Sequence, residues 1–147
     1  MESLKMAVDY GIIWLLALLS VIALACAIER LYVYQRISIR DFREKRALEL
    51  ELTRKLHVIA TIGSNAPYLG LLGTVMGIML TFHTMGTEGF MDTNKIMVGL
   101  ALALKATAVG LFVAIPSVTL YNLLLRRTKV LLIQWELAHG REGSQLH

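Results

Sequence analysis

The 147-residue chain has few of the residues that build soluble domains and catalytic sites. Charged residues make up only 18% of it and hydrophobic residues 56%, which is too apolar for a soluble globular domain. Its single cysteine, Cys26, excludes an intramolecular disulfide framework and a cysteine-based zinc site. The sequence has no spaced set of His, Cys, Asp and Glu, no nucleophile beside a base and no glycine-rich phosphate loop. It therefore predicts no metal site, no cofactor and no enzyme.

Three long segments are almost free of charge. Residues 10–28 and 58–87 contain no Asp, Glu, Lys or Arg, and residues 96–125 contain only Lys105. A helix needs roughly 20 apolar residues to cross the hydrocarbon core of a bilayer. The pattern predicts an all-α integral membrane protein with three transmembrane helices, and it leaves no room for a separate soluble catalytic domain.

Positive charge is concentrated on one side of these segments. The connector 29–57 carries eight Lys and Arg residues and the tail 126–147 carries four, whereas Lys5 and Lys95 stand alone on the other side. The positive-inside rule predicts that the connector and the tail are cytoplasmic. Because acidic residues are interleaved in the basic run, a solvated helical extension is favoured over a nucleic-acid-binding patch.

The predicted parts follow from these two patterns. In chain order they are an N-terminus on the outer side (1–9), the first transmembrane helix (10–28), a basic cytoplasmic helical connector (29–57), a second helix that runs from the cytoplasm into the membrane (58–87), a short outer loop (88–95), the third transmembrane helix (96–125) and a cytoplasmic helix and tail (126–147). The first helix is bulky and is predicted to face lipid.

Small residues recur along the second and third segments. Their steps of three and four residues place them on one face of a helix, and such stripes let helix backbones approach closely in lipid. We expect these helices to pack on each other and also on neighbouring subunits, with pairing inside one monomer alone as the alternative. The stripes comprise Gly63, Ala66, Gly70, Gly73 and Gly77 in the second segment, and Gly99, Ala103, Ala106, Gly110, Ala114 and Ser117 in the third.

Both prolines lie within predicted spans. Pro67 follows two good N-cap residues, so the second helix is predicted to begin or bend there. Pro116 leaves the carbonyl of Phe112 without its usual N–H partner, which predicts a kink in the third helix. Ser117 and Thr119 are near enough in sequence to satisfy that carbonyl.

Three polar side chains are predicted near the middle of the membrane. At about 1.5 Å of rise per residue, Thr74 lies about 18 Å below Gly86, and Thr107 lies about 18 Å below Lys95. The two hydroxyls therefore reach a similar depth, although a threonine inside a helix often bonds only its own preceding turn. Lys105 is equally deep, where a charge costs about 3 kcal/mol. No predicted span contains an Asp or Glu, so we expect Lys105 to pair with a carboxylate of another chain, to reach a wet cavity or to lose its charge.

Two stretches resemble signatures of a known family. "ATIGSNAPYLGLLGTVMGIMLTF" (60–82) and "ALKATAVGLFVAIPSVTLYN" (103–122) are similar to the second and third spans of the ExbB/TolQ (MotA/TolQ/ExbB) proton-channel family, and most similar to a short ExbB form. By this resemblance Thr74 and Thr107 match the pore-lining threonines of the family. The family usually has a glutamate five residues before the second of these threonines, and this chain has Leu102 there. Lys105 lies about 200° around the helix from Thr107, so it is not expected on the pore-facing side.

The resemblance also implies an assembly and a function. It implies a homopentameric ring in the bacterial inner membrane, with a periplasmic N-terminus and with the second and third helices extended into the cytoplasm. The ring would enclose the single-span helices of an ExbD-like dimer, whose intramembrane Asp carries protons. Proton motive force would drive this motor, which passes energy to a TonB-like protein for transport across the outer membrane. A TolQ-like subunit of the Tol-Pal envelope system and a non-conducting structural membrane oligomer are the alternatives.

Overall fold

The computed structural model describes residues 2–89 and 92–144, and all regular structure in these residues is helical. The elements are α1 (Glu2–Arg36), a 3-10 turn (Ile39–Asp41), α2 (Lys45–Thr53), α3 (Leu56–Glu88) and α4 (Thr93–Ser144). Three stretches are long and apolar enough to cross a membrane, namely Met6–Arg36, Leu56–Thr87 and Thr93–Gly140. The predicted all-α fold with three long apolar helices is thus confirmed for the described residues.

The long helices continue well beyond the apolar segments. α4 has 52 residues, which corresponds to about 78 Å of helix, more than twice the thickness of a hydrocarbon core of about 30 Å. Its chain passes Arg126 without interruption, and α1 likewise continues to Arg36. The apolar spans and the basic segments are therefore joined as rigid helices.

The second helix does not begin at Pro67, so of the two predicted alternatives, a start or a bend, the start is wrong. α3 begins at Leu56, and the two cap-forming residues before the proline lie inside the helix. Ser64 and Asn65 donate their side-chain hydrogen bonds to the carbonyl of Thr61, at 3.1 and 2.8 Å. These side chains bond the preceding turn because the helix already exists there, and a cap is not needed.

The hydroxyls beside Pro116 do not compensate for its missing N–H. α4 is helical through Pro116. Ser117 donates to the carbonyl of Val113 at 2.8 Å and Thr119 donates to that of Ile115 at 2.9 Å. Each hydroxyl thus bonds the residue four positions before it, and neither bonds the carbonyl of Phe112 as the sequence suggested.

The two small-residue stripes face each other inside the chain. A Cβ atom added at Gly70 would lie 2.8 Å from the carbonyl oxygen of Ala106, and one added at Gly110 would lie 2.7 Å from that of Ala66. All the stripe residues are buried between the antiparallel helices α3 and α4. Pairing inside one monomer, the alternative expectation, therefore accounts for the burial of both stripes.

α1 covers one side of the α3–α4 pair. Leu16 and Ala23 of α1 are buried in a cluster with Ala66 of α3 and Ala114 of α4. The opposite side of α1 is open, and Trp14 is 72% exposed. The first helix therefore has one packed face and one broad apolar face that suits lipid.

At the basic end, polar side chains of α1 tie the other elements together. The hydroxyl of Tyr34 donates to the carbonyl of Leu52 at 2.5 Å and shares a 3.0 Å hydrogen bond with Thr128 of α4. The guanidinium of Arg30, which is only 2% exposed, donates to the carbonyl of Glu51 and the carboxylate of Glu29, both at 3.0 Å. Burial of a charge is tolerated because these acceptors and carboxylates compensate it.

A second set of contacts holds the connector against α4. The indole N–H of Trp135 donates to the carbonyl of Phe42 at 2.9 Å, and Lys45 forms an ion pair with Glu136. The hydrogen bond from Lys45 to Glu136 raises the pKa of the lysine above its usual range. The stabilisation that this raised pKa represents is therefore present at neutral pH and is lost as strongly alkaline pH removes the lysine proton.

The close approach of α3 and α4 makes a testable prediction. Gly70→Ala and Gly110→Ala place a methyl group against a backbone carbonyl, so each should destabilise the folded chain by about 1–3 kcal/mol. Thermal unfolding in detergent measures the change. Gly86→Ala is the matched control, because nothing lies within 4 Å of its added Cβ and alanine favours a helix over glycine. Equal stability of all three variants would contradict the observed contact.

Candidate functional site

The structure brings Thr74 and Thr107 together between α3 and α4. Their hydroxyls are hydrogen-bonded to each other across the helix pair. Thr74 is 7% exposed and Thr107 is half-buried, so one hydroxyl lies inside the helix interface and the other reaches its edge. The similar depth expected from the distances to the loop is therefore realised as direct contact.

Backbone carbonyls complete the hydrogen bonding of the threonine pair. The hydroxyl of Thr74 is 3.0 Å from the carbonyl oxygen of Ala103 on the other helix and 3.3 Å from that of Gly70. Thr107 Oγ1 is also 3.3 Å from the Gly70 carbonyl oxygen. The contacts of Thr74 with Ala103 and of Thr107 with Gly70 join the two helices, whereas the contact of Thr74 with Gly70 is the bond to its own preceding turn.

The hydrogen bonds of the Thr74–Thr107 pair can run in either of two directions. A hydroxyl donates one hydrogen bond and accepts two. In one arrangement Thr107 donates to Thr74, which donates to Ala103; in the other, Thr74 donates to Thr107, which donates to Gly70. Only hydrogen atoms rotate between the two states. Such a pair can reverse the direction of its hydrogen bonds without any change in heavy-atom packing.

The small residues make this contact possible. Ala103 and Ala106 on α4 are 1% and 2% exposed, and they lie against the Gly70 side of α3. With larger side chains there, the helices would separate and the hydroxyl of Thr74 would lose its acceptor across the interface. Gly73 has the same role, because a Cβ added to it would lie 2.7 Å from that of Ala106.

The remaining packing residues of the prediction also lie in the interface. Gly77 and Ala114 are buried, and Gly77 supplies the carbonyl to which the hydroxyl of Thr81 donates at 2.8 Å. Thr81 is fully buried but its hydroxyl bonds only this preceding turn. It is therefore a natural reference for a threonine of the same helix that makes no bond across the interface.

Leu102 and Lys105 lie away from the threonine pair. Leu102 is 47% exposed, and Lys105 is exposed on the same face as Phe112, which is 80% exposed. Within the described residues the ion pairs involve Arg30, Lys45 and Lys55 as cations, and none involves Lys105. The lysine therefore points towards the surroundings of the chain at the depth of the threonines.

The hydroxyl pair carries no ionisable group of its own. Its hydrogen-bond partners are hydroxyls and carbonyls only. In residues 2–89 and 92–144 no group of three or more His, Cys, Asp and Glu could hold a metal ion. The site therefore offers neutral hydrogen-bond donors and acceptors and no acid or base of its own.

The buried anchors at the basic end were missed by the sequence reasoning. The charge count of the connector 29–57 says nothing about the burial of Arg30 or Tyr34. Ala23, Ala27, Arg30 and Tyr34 follow one another at steps of four, three and four, the same spacing as the small stripes. That periodicity was the available signal, and it places both polar residues on the packed face of α1.

Comparison with known proteins identifies the family. A model of the MotA/TolQ/ExbB proton channel family matches residues 38–137, which include the connector, α3, the threonine pair and most of α4. The chain belongs to this family. Its members form a proton channel family and not a family of enzymes, and with three apolar helices the chain is a multi-pass inner-membrane protein.

Individual relatives are similar over very different lengths. The biopolymer transport protein ExbB of Aquifex aeolicus is 54% identical over 144 residues, 98% of this chain and 97% of that protein. A putative biopolymer transport protein ExbB-like 2 of Helicobacter pylori is 53% identical over 98% of this chain and 96% of that protein. The Tol-Pal system protein TolQ of Pseudomonas aeruginosa is 44% identical over only 57% of this chain and 36% of that protein. The resemblance to a short ExbB form is thus confirmed.

The contact between the threonines predicts a measurable coupling. In a double-mutant cycle of Thr74→Val and Thr107→Val, we expect the two substitutions to be non-additive by about 1 kcal/mol, because either one alone breaks the shared hydrogen bond. Denaturant unfolding in detergent gives the four stabilities. The same cycle with Thr81→Val in place of Thr74→Val should be additive, since Thr81 bonds its own turn. Additivity in both cycles would contradict the hydroxyl contact.

Proposed function

We propose that this chain is the ring subunit of a motor in the bacterial inner membrane that is driven by proton motive force. In this proposal five copies enclose the two single-span helices of an ExbD-like partner. The motor transmits energy to a TonB-like protein and so energises transport across the outer membrane. The observation that carries the proposal is the Thr74–Thr107 hydroxyl pair inside the α3–α4 interface of a proton channel family member.

The chemistry of the site supports a shared proton pathway. Neither Thr74 nor Thr107 ionises, and the position where relatives usually have a glutamate is Leu102, which is apolar. An acid that takes up and releases protons is therefore supplied by the partner, whose intramembrane Asp would face the half-buried Thr107. The two threonines position that carboxylate and its waters through donors and acceptors that can reverse direction.

The proposed topology follows the charges and the long helices. Twelve of the fifteen Lys and Arg residues lie in 29–57 and 126–147, so these segments are placed in the cytoplasm and the N-terminus in the periplasm. α4 is long enough to continue from the membrane into the cytoplasm as one helix. Since the small stripes are used inside the subunit, the ring contacts are assigned to the exposed apolar faces of the three long helices.

Lys105 is assigned to a contact with another chain. It is exposed at about mid-membrane depth and has no carboxylate partner within the described residues. A charge there is expensive unless it is paired. We infer that a carboxylate of a neighbouring subunit or of the partner pairs with it.

A TolQ-like role in the Tol-Pal system is the second candidate, favoured by the 44% identity to a TolQ protein. The ExbB relatives match nearly the whole chain, and this gives the TonB-linked role the stronger support. Native mass spectrometry of the complex, produced together with its genomic-neighbour membrane proteins, gives the ring size. Co-purification of a TonB-like or a TolA-like protein decides between the two roles.

Removal of the two hydroxyls tests the pathway. We expect Thr74→Val with Thr107→Val to reduce proton flux through the complex in proteoliposomes by about tenfold or more, because hydrogen bonds of about 1 kcal/mol each are lost. Thr107→Ser should keep most of the flux, and Thr81→Val is the control for a threonine outside the pathway. A double variant that assembles normally and conducts like the original chain would leave the non-conducting structural oligomer as the better description.

Replacement of the lysine tests its contact. Lys105→Leu removes one member of the inferred ion pair and leaves a carboxylate without its partner, so we expect assembly with the partner to weaken by about tenfold. The yield of intact complex in native mass spectrometry reports it. Lys95→Leu, also an exposed lysine of α4 but close to its N-terminal end, should have no such effect. Unchanged assembly and flux in Lys105→Leu would refute the ion pair.

A further inference from the structure

A groove lies between α1 and α4 at the basic end of the molecule. It has a volume of about 480 Å³. α1 lines it with Leu31, Tyr34 and Gln35, and α4 lines it with Leu123, Arg126, Arg127 and Val130. The groove rests on these two helices alone and is separate from the threonine pair.

The groove crosses the boundary between apolar and basic sequence. Leu123 belongs to the apolar segment 96–125, and Arg126 and Arg127 follow this segment directly. From Leu123 to Val130 the groove extends about 10 Å along α4 at 1.5 Å per residue. In a membrane, one end of the groove lies beside the hydrocarbon and the other lies at the level of the headgroups.

The apolar walls of the groove are open and its floor is fixed. Leu31, Leu123 and Val130 are 45%, 60% and 42% exposed, so each has surface left to cover. The floor is Tyr34, which is 5% exposed and shares a 3.0 Å hydrogen bond with Thr128. The shape of the groove therefore does not depend on a mobile side chain below it.

Two arginines bring charge to the groove without a counter-charge. Among the parts of the chain that the structure describes, ion pairs involve Arg30, Lys45 and Lys55 and do not involve Arg126 or Arg127. A guanidinium binds a phosphate through two parallel N–H···O bonds, which gives both affinity and geometry. The groove therefore combines an end that can bind an anion with an apolar channel.

We propose that this groove binds one anionic phospholipid, with its phosphate on Arg126 and Arg127 and an acyl chain along Leu31, Leu123 and Val130. Basic pockets between transmembrane helices suit such headgroups. A lipid matches both the apolar walls and the uncompensated cations, and this site does not depend on proton conduction.

Native mass spectrometry of the purified chain with phosphatidylglycerol or phosphatidylethanolamine tests the site. We expect preferential binding of phosphatidylglycerol, and we expect R126Q/R127Q to weaken it by about thirtyfold, because each cation near an anionic headgroup contributes about a fivefold change. R126K/R127K keeps both charges and should retain most of the binding. R40Q/R43Q is the matched control, since it removes two exposed cations of the connector that do not line the groove.

Several results would overturn the proposal. One is equal binding of phosphatidylglycerol and phosphatidylethanolamine. Another is an equal loss of phosphatidylglycerol binding in R126Q/R127Q and in R40Q/R43Q. The third is displacement of the bound lipid by inorganic phosphate at the same concentration as the lipid. A photoreactive side chain at position 31 distinguishes a lipid from a second copy of the chain as the occupant of the groove. Cross-linking to phosphatidylglycerol supports the site, whereas cross-linking to a second copy of the chain assigns the groove to a subunit contact and refutes it.

Discussion

The contact between the backbones of α3 and α4 at Gly70 and Gly110 is the constraint on which the other features depend. Added Cβ atoms at these positions would lie 2.8 and 2.7 Å from carbonyl oxygens of the facing helix, so no larger residue fits without movement. Because the helices are this close, the hydroxyl of Thr74 reaches both Ala103 and Thr107 across the interface. In lipid, where hydrophobicity does not drive helices together, this packing and these hydrogen bonds supply the association. α1 then covers one side of a pair that is already formed.

Features that follow from helical periodicity were predictable, and features that depend on tertiary contact were not. The steps of three and four among the glycines identify a packing face, and the equal distances of Thr74 and Thr107 from the short loop place them at one depth. Their direct contact then needs only the antiparallel pairing that a short loop enforces. By contrast, the burial of Arg30 could not be predicted from its charge. The positive-inside rule predicts on which side of the membrane a segment lies and says nothing about how deeply a side chain is buried in the protein. The N-cap signal before Pro67 did not mark a helix start, because α3 already begins at Leu56 and Ser64 and Asn65 bond its preceding turn.

The buried polar groups at the basic end of the molecule include charges, whereas those at the level of the threonine pair are neutral. At the basic end, Arg30 is buried with Glu29 and the Glu51 carbonyl, and Tyr34 shares its hydroxyl with Thr128. These charges and hydrogen bonds are compensated within the chain, so they hold α1, α2 and α4 together as one unit. At the threonine level the interior contains only neutral groups, which can reorient without a change in charge. The compensated charges therefore hold the basic end together, whereas the threonine pair holds α3 and α4 together with neutral groups alone.

The charge pattern at the threonine level constrains how the proposed motor handles protons. By the family resemblance Leu102 would occupy the position of the usual glutamate, and Lys105 adds a cation on the far side of the helix from Thr107. Across a helix about 10 Å wide, an unpaired lysine would oppose an entering proton by about 2 kcal/mol at an effective dielectric constant of 20. Five such lysines around a ring would add to a barrier that no acid of the ring offsets. A carboxylate paired with Lys105 removes this field. In the proposed motor, an ion pair at Lys105 and a hydroxyl pathway at Thr74 and Thr107 would therefore depend on each other.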